Sequence, residues 1–361
     1  MTAAPHVLIA RLDGVGDVLL AGPAVRAVAE TAGRITFLAG PAGEEAAWLL
    51  PGVDDVIVFD APWVPLDAPP FDGGSISRLI GELATRAIDE AAILTSFHQS
   101  PLPLALVLRL AGIPRIAATS VDHAGSLLDI RRRPGRDGND GQDVHEVVRS
   151  LSLVGMLGYQ PAEGDDGGLA VRRDPAGPRP FDRPYVVVHP GASAPARGWP
   201  APRAGALVQL LADRGWCVAV TGNPGEAELT ARVAGPSRPE VVDLGGATDL
   251  RLLAQVLAGA EVVVAGNTGP AHLAAAVGTP IVSVFAPVVP APRWRPWGVP
   301  LVLLGDQGIA CAGCRATACP YPDQPCIRSV TPMVVLDAVE RLASQALDGR
   351  RDAELVGEGA P

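Results

Sequence analysis

Lysine is missing from this chain: all 29 basic residues are arginine, against 39 acidic ones, for a formal net charge of −10. The arginines are scattered rather than gathered on one stretch, and the acidic balance argues against a nucleic-acid partner. Together with 41 Gly and 36 Pro, the missing lysine fits coding bias in a GC-rich genome, so the choice of Arg carries no mechanism by itself. No apolar run reaches the roughly 20 residues of a membrane span. Residues 1–5 lead straight into a strand pattern, so no signal peptide is expected and the chain reads as cytoplasmic. Cysteines number five, and in that compartment they are expected as thiols or metal ligands, not disulfides.

What is present is apolar material, 48% of 361 residues, enough for two domains. Near-continuous apolar strands are expected over 6–12, 34–40, 55–60, 91–97 and 115–120, with helices over 18–30, 44–50, 75–89 and 104–111 between them. Residues 131–133 read as a solvated arginine loop, and 143–158 as a closing amphipathic helix. A stretch rich in Pro, Gly and Asp follows, and the alternation then restarts with strands at 185–189, 217–221, 241–244, 261–265 and 281–285. The fold class is therefore α/β, two doubly wound Rossmann-like domains facing a cleft. The expected boundaries are 1–160, a linker at 161–183, a second domain at 184–330, a closing helix at 331–347 and a flexible tail at 348–361.

The most informative stretch is EVVVAGNTGPAHLAAAVGTPIVSVF, residues 261–285. It reads as strand, tight loop, short helix and second strand. Thr268 can cap the helix, and Pro270 fits its first turn, where the missing N–H costs nothing. The free N–H groups of that turn, with His272 close behind, make a site for a phosphate. Asp17, after the Gly14-x-Gly16 turn, is either a first-turn residue favoured by the helix dipole or a general base at the mouth of a sheet. The His189-Pro-Gly loop with Ser193 and Arg197 is either an anion cradle or a flexible loop with a solvated Arg. Glu226 is either an acceptor for ribose hydroxyls or an acid near a helix start. His98 and Gln99 follow a strand of the first half and are candidates for acceptor contact. Arg293-Trp294-Arg295-Pro296-Trp297 carries two exposed-looking Trp that either stack on a base or sugar or cover the sheet's end. Cys311, Cys314, Cys319 and Cys326 meet zinc's ligand count, but they lack matched C-x2-C pairs, so free thiols in a structural loop are preferred over zinc.

Arg11-Leu-Asp-Gly-Val-Gly-Asp17 with Pro23-Ala-Val-Arg26, the His189-Pro-Gly loop, and Asn267-Thr-Gly-Pro-x-His272-Leu-Ala-Ala-Ala276 together resemble glycosyltransferase family 9, the heptosyltransferase-like family. The resemblance covers most of the chain. It implies a GT-B fold and inverting transfer from a nucleotide-diphosphate sugar to a hydroxyl of a glycan or glycolipid, without an essential metal. The N-terminal domain would take the acceptor and the C-terminal one the donor. Asp17 matches the catalytic base. Ser193, Arg197, Glu226, Asn267, Thr268, Gly269 and His272 fall on the donor side, and Gly16, His98 and Gln99 on the acceptor side. Asn267 stands where heptosyltransferases carry Asp, which leaves the donor sugar open, ADP-heptose being one choice. A lipid-linked acceptor would bring the enzyme to the inner face of the membrane. The alternatives are a nucleotide-sugar epimerase of the same fold, or a nucleotide-sugar binding protein without catalysis. Oligomeric state is not legible.

Overall fold

The computed structural model describes residues 4–65, 68, 70–96, 99–136 and 144–357, with side chains described as far as 345. The chain divides into two compact units, Met1–Arg172 and Arg173–Pro361. Among the described residues, no helix is long and apolar enough to cross a membrane.

In the first unit the strands are β1 (His6–Arg11), β2 (Arg34–Ala39), β3 (Asp55–Val58), β4 (Glu90–Ile93), β5 (Arg115–Thr119) and β6 (Ile130–Arg132). Between them lie α1 (Val15–Leu20), α2 (Gly22–Ala29), α3 (Glu44–Leu49), α4 (Gly73–Ala84) and α5 (Leu102–Leu110), and α6 (Glu146–Leu157) closes the unit. All pairs are parallel, in the order β3-β2-β1-β4-β5-β6. The apolar runs of β1 and β4 are buried, as both faces of the sheet are covered. The chain winds outward from β1 through β2 to β3, then crosses to β4 on the other side. The loops after β1 and β4 therefore diverge, and this is the switch point where α/β sheets bind ligands.

The second unit repeats the plan. Its strands are β7 (Tyr185–His189), β8 (Cys217–Gly222), β9 (Val241–Gly245), β10 (Val262–Gly266), β11 (Ile281–Val284) and β12 (Leu301–Leu304). Its helices are α7 (Ala201–Asp213), α8 (Ala227–Ala234), α9 (Leu250–Ala258), α10 (Gly269–Ala276), α11 (Ala291–Trp294) and α12 (Pro332–Gly357). The order is β12-β11-β10-β7-β8-β9, again parallel, with the switch point between β7 and β10. Val186, Val188, Val262 and Val264 share one core with Leu207 and Leu211 of α7 and Leu336 and Val339 of α12.

Several sequence expectations are corrected. The arginine loop at 131–133 contains an edge strand, β6, and Arg132 is 1% exposed, its Nε donating to Ser152 Oγ at 3.0 Å. A three-residue polar strand has no apolar alternation to show it. The helix expected over 18–30 starts at Val15 and breaks at Ala21, because Gly22-Pro23 begins a new first turn. β12 went unread because Pro300 precedes it and its four residues are half-buried. Trp294 is buried and Trp297 half-buried, so neither is the exposed platform expected. α12 runs beyond residue 347 to Gly357. The first part of the 161–183 stretch packs on the first unit. Arg172 N donates to Leu49 O at 2.7 Å, and Arg26 grips Asp165 through two hydrogen bonds of 2.9 and 2.8 Å.

Candidate active site

In the first unit, the end of β1 delivers Arg11 to the switch point, where it is 2% exposed. Its Nε lies 2.7 Å from Asp13, its Nη2 2.5 Å from Asp17 and its Nη1 3.6 Å from Glu146 on α6. Nη2 also donates to Ser96 Oγ at 3.0 Å, just after β4. Burial works against the Arg11 charge, but Asp13, Asp17 and Glu146 outweigh it and hold the guanidinium above its ordinary pKa. Gln99 Nε2 donates to Asp13 at 2.6 Å. Asp17 sits in the first turn of α1, behind the Gly14 N-cap, with Gly16 beside it. Its side chain is 26% exposed, against 3% for Arg11, so the carboxylate reaches solvent from a buried base. A small recess lies beside Gln99, lined by Leu12, Trp63, Leu94 and Leu104 among others. His98, expected as an acceptor contact, lies outside the described residues.

In the second unit, the carboxyl ends of three neighbouring strands come together. β7 ends at His189, whose Nδ1 is 3.0 Å from Thr221 Oγ1 on β8. Burial pulls the His189 pKa down to about 4, so the ring is neutral near pH 7. Its Nε2 is 4.0 Å from Glu226. Glu226 forms a capping box with Asn223, accepting from Asn223 N at 2.9 Å. Its carboxylate lies against Gly191, where a Cβ would collide with it. The Arg197 carbonyl packs over Gly266 at the end of β10, 3.0 Å from where a Cβ would stand. Small residues thus let the β7 loop close onto the β10 loop.

That β10 loop leads through Asn267, 6% exposed, and Thr268 into α10. Thr268 is the N-cap, yet its side chain makes no capping hydrogen bond. Its Oγ1 is buried without a hydrogen-bond partner among the described residues, as is Arg197 Nε. A native protein rarely leaves such groups unmatched, and a bound anion would match both. Gly269 opens α10, and its first turn presents N–H groups at the carboxyl end of β10. His272 is buried in the same helix. Ser193 is exposed in the β7 loop.

The structure therefore gathers Arg197, Asn267, Thr268, Gly269 and His272 at one strand end, with Glu226 on the neighbouring β8 side. Sequence reasoning did not single out Arg11 beyond its place in the motif, and it missed Asp13, Ser96 and Glu146 as partners of Arg11. A basic residue ending an otherwise apolar strand, four residues after Val7, was the available signal. All five cysteines are free, with Cys217 and Cys326 buried. Among the described residues, no group of three or more His, Cys, Asp or Glu is arranged to hold a metal ion.

Residues 99–324 match the profile of Glycosyltransferase family 9 (heptosyltransferase). The chain belongs to glycosyltransferase family 9. Lipopolysaccharide heptosyltransferase 1 of Pseudomonas aeruginosa is 31% identical over 182 residues, 49% of this chain and 49% of that protein. The chain thus spans about half the length of this curated relative. Two solved structures share the fold across nearly their whole length. The Escherichia coli ADP-heptose LPS heptosyltransferase II has a TM-score of 0.72 at 20% identity, covering 94% of this chain and 99% of that one. The glycosyl transferase family 9 protein of Veillonella parvula has a TM-score of 0.74 at 16% identity, covering 94% and 98%. The family 9 match includes the whole β7-to-β10 site and begins at Gln99 of the first unit.

Proposed function

We propose that this family 9 protein is an inverting glycosyltransferase. It moves a sugar from a nucleotide-diphosphate sugar to a hydroxyl of a glycan or glycolipid, with ADP-heptose as the first donor to test. The observation that carries the reading is the buried, unmatched Thr268 Oγ1 at the start of α10, with the Arg197 backbone against Gly266 and Arg197 Nε also buried and unmatched. Phosphate oxygens would satisfy both. The second unit takes the donor: the N–H groups of α10, Thr268, His272 and Arg197 hold the diphosphate, Glu226 meets the ribose, and Asn267 lies beside the sugar.

The first unit takes the acceptor. Asp17 accepts the proton of the acceptor hydroxyl as that oxygen attacks the anomeric carbon from the face opposite the diphosphate. The bond from the anomeric carbon to the phosphate oxygen breaks, and the nucleoside diphosphate leaves with the electron pair. The donors around α10 stabilise the charge that builds on it. Gln99, which donates to Asp13 at 2.6 Å, lies on this acceptor side. The protein works in the cytoplasm and meets a lipid-linked acceptor at the inner face of the membrane.

Asp17→Asn tests this, with ADP-heptose and a lipopolysaccharide core acceptor followed by mass spectrometry. Transfer should fall by about 10² to 10⁴ while ADP-heptose binding persists. Full transfer by the variant overturns the reading.

A further inference from the structure

Asp17 stands on α1, a helix of six residues whose N-cap makes no side-chain hydrogen bond. So short an element holds a side chain poorly by itself. Arg11 supplies what α1 lacks. The three nitrogens of its guanidinium each face a carboxylate from a different segment: Nε faces Asp13 in the loop after β1, Nη2 faces Asp17 on α1, and Nη1 faces Glu146 on α6. The outer contacts continue the pattern. Asp13 accepts from Gln99 at 2.6 Å, and Glu146 accepts from Arg149 Nη1 at 2.8 Å. Arg11 Nη2 is tied to Ser96 at 3.0 Å.

A buried ionic cluster of this kind is weak evidence for stability, because apolar residues of the same volume often do as well. Its geometry has another use. The planar, rigid fork of Arg fixes the directions of its partners, which a Lys does only as a point charge. Of the three carboxylates, Asp17 reaches solvent most, at 26% exposure against 11% for Asp13 and 3% for Glu146.

We infer that Arg11 is a positioning residue for the transfer reaction: it aims the Asp17 carboxylate, while Asp13 and Glu146 lie opposite its other two nitrogens. This rests on the reading of Asp17 as the general base.

The test compares Arg11→Met, Arg11→Lys, Glu146→Gln and Asp17→Asn, each checked for folding by thermal melting. Transfer from ADP-heptose to a lipopolysaccharide core acceptor is followed across pH. Loss of activity in Asp17→Asn establishes the base. Arg11→Met should then lower kcat about 10²-fold, the scale of a misplaced reacting group, with the KM for ADP-heptose unchanged. Arg11→Lys should recover part of that loss. Among the described residues, the charged groups clustered with Asp17 around Arg11 include Asp13 from the loop after β1, and Glu146 with Arg149 from α6, whose N-cap is His145. Removing the positive charge should move the acid limb of kcat/KM to higher pH in Arg11→Met. Removing a negative one should move it to lower pH in Glu146→Gln. Arg11→Met that melts lower but keeps kcat and its acid limb overturns the inference and leaves the base reading intact. If Arg11→Met does not fold, Glu146→Gln decides: an unmoved acid limb overturns it equally. Full activity in Asp17→Asn overturns both.

Discussion

Thr268 carries a buried hydroxyl that the described fold does not use. Its hydroxyl caps nothing and bonds nothing among the described residues. Thr268→Val therefore removes an unmatched polar atom, and the free protein should unfold within about 0.5 kcal/mol of the wild type. Affinity for ADP should fall about tenfold, measured by calorimetry, since a hydrogen bond to a charged oxygen is lost. His189 carries the opposite lesson, a buried residue with a cost in acid. The unfolded chain takes up its proton near 6.5 and the folded chain only near 4, so stability is lost as pH falls through that window. By pH 4 the loss should approach about 3 kcal/mol, and His189→Asn should not share it. Urea melts of both proteins at pH 7, 5.5 and 4 measure the difference. That Asn267, Thr268, Gly269 and His272 sit at one strand end was legible in the sequence, because a strand, a tight loop and Thr-Gly-Pro-x-His lie within one local run. Arg11's role was not legible, because its partners Ser96 and Glu146 are distant in sequence and only the sheet brings them together.

At the scale of elements, the two sheets follow from the apolar runs and the glycine-rich turns between them. Central strands were legible because burial on both faces leaves a continuous apolar signature. Of the four edge strands, β3 and β9 were legible but β6 and β12 were not: β6 is three residues, two of them Arg, and β12 directly follows Pro300. β6 nonetheless carries the buried Arg132. The α6 helix, which brings Glu146 to the site, ends at Gly158 with φ of 107°. Nothing crowds a Cβ at that residue, so the left-handed backbone alone requires glycine. Gly158→Ala should cost about 1–2 kcal/mol by denaturant midpoint, with transfer activity per folded molecule retained.

At the scale of the whole molecule, two units of one topology each open a switch point at the carboxyl ends of their strands. The first gathers a carboxylate cluster around Arg11, and the second gathers Asn267, Thr268, Gly269 and His272 at the end of β10. The repetition of the alternation was readable from the chain, and so was the break between halves. The packing of 161–172 onto the first unit was not, because it depends on Arg26 and on the backbone of α3 rather than on local pattern. The central claim is that the second unit binds a nucleotide-diphosphate sugar. The most direct measurement is a thermal-shift titration of the whole protein with ADP-, GDP-, UDP- and dTDP-linked sugars, beside Thr268→Val. One of them at a hundred times its dissociation constant should stabilise the protein by about 2.7 kcal/mol, and the titration should move to higher concentration in Thr268→Val. No shift with any of the four would contradict the account.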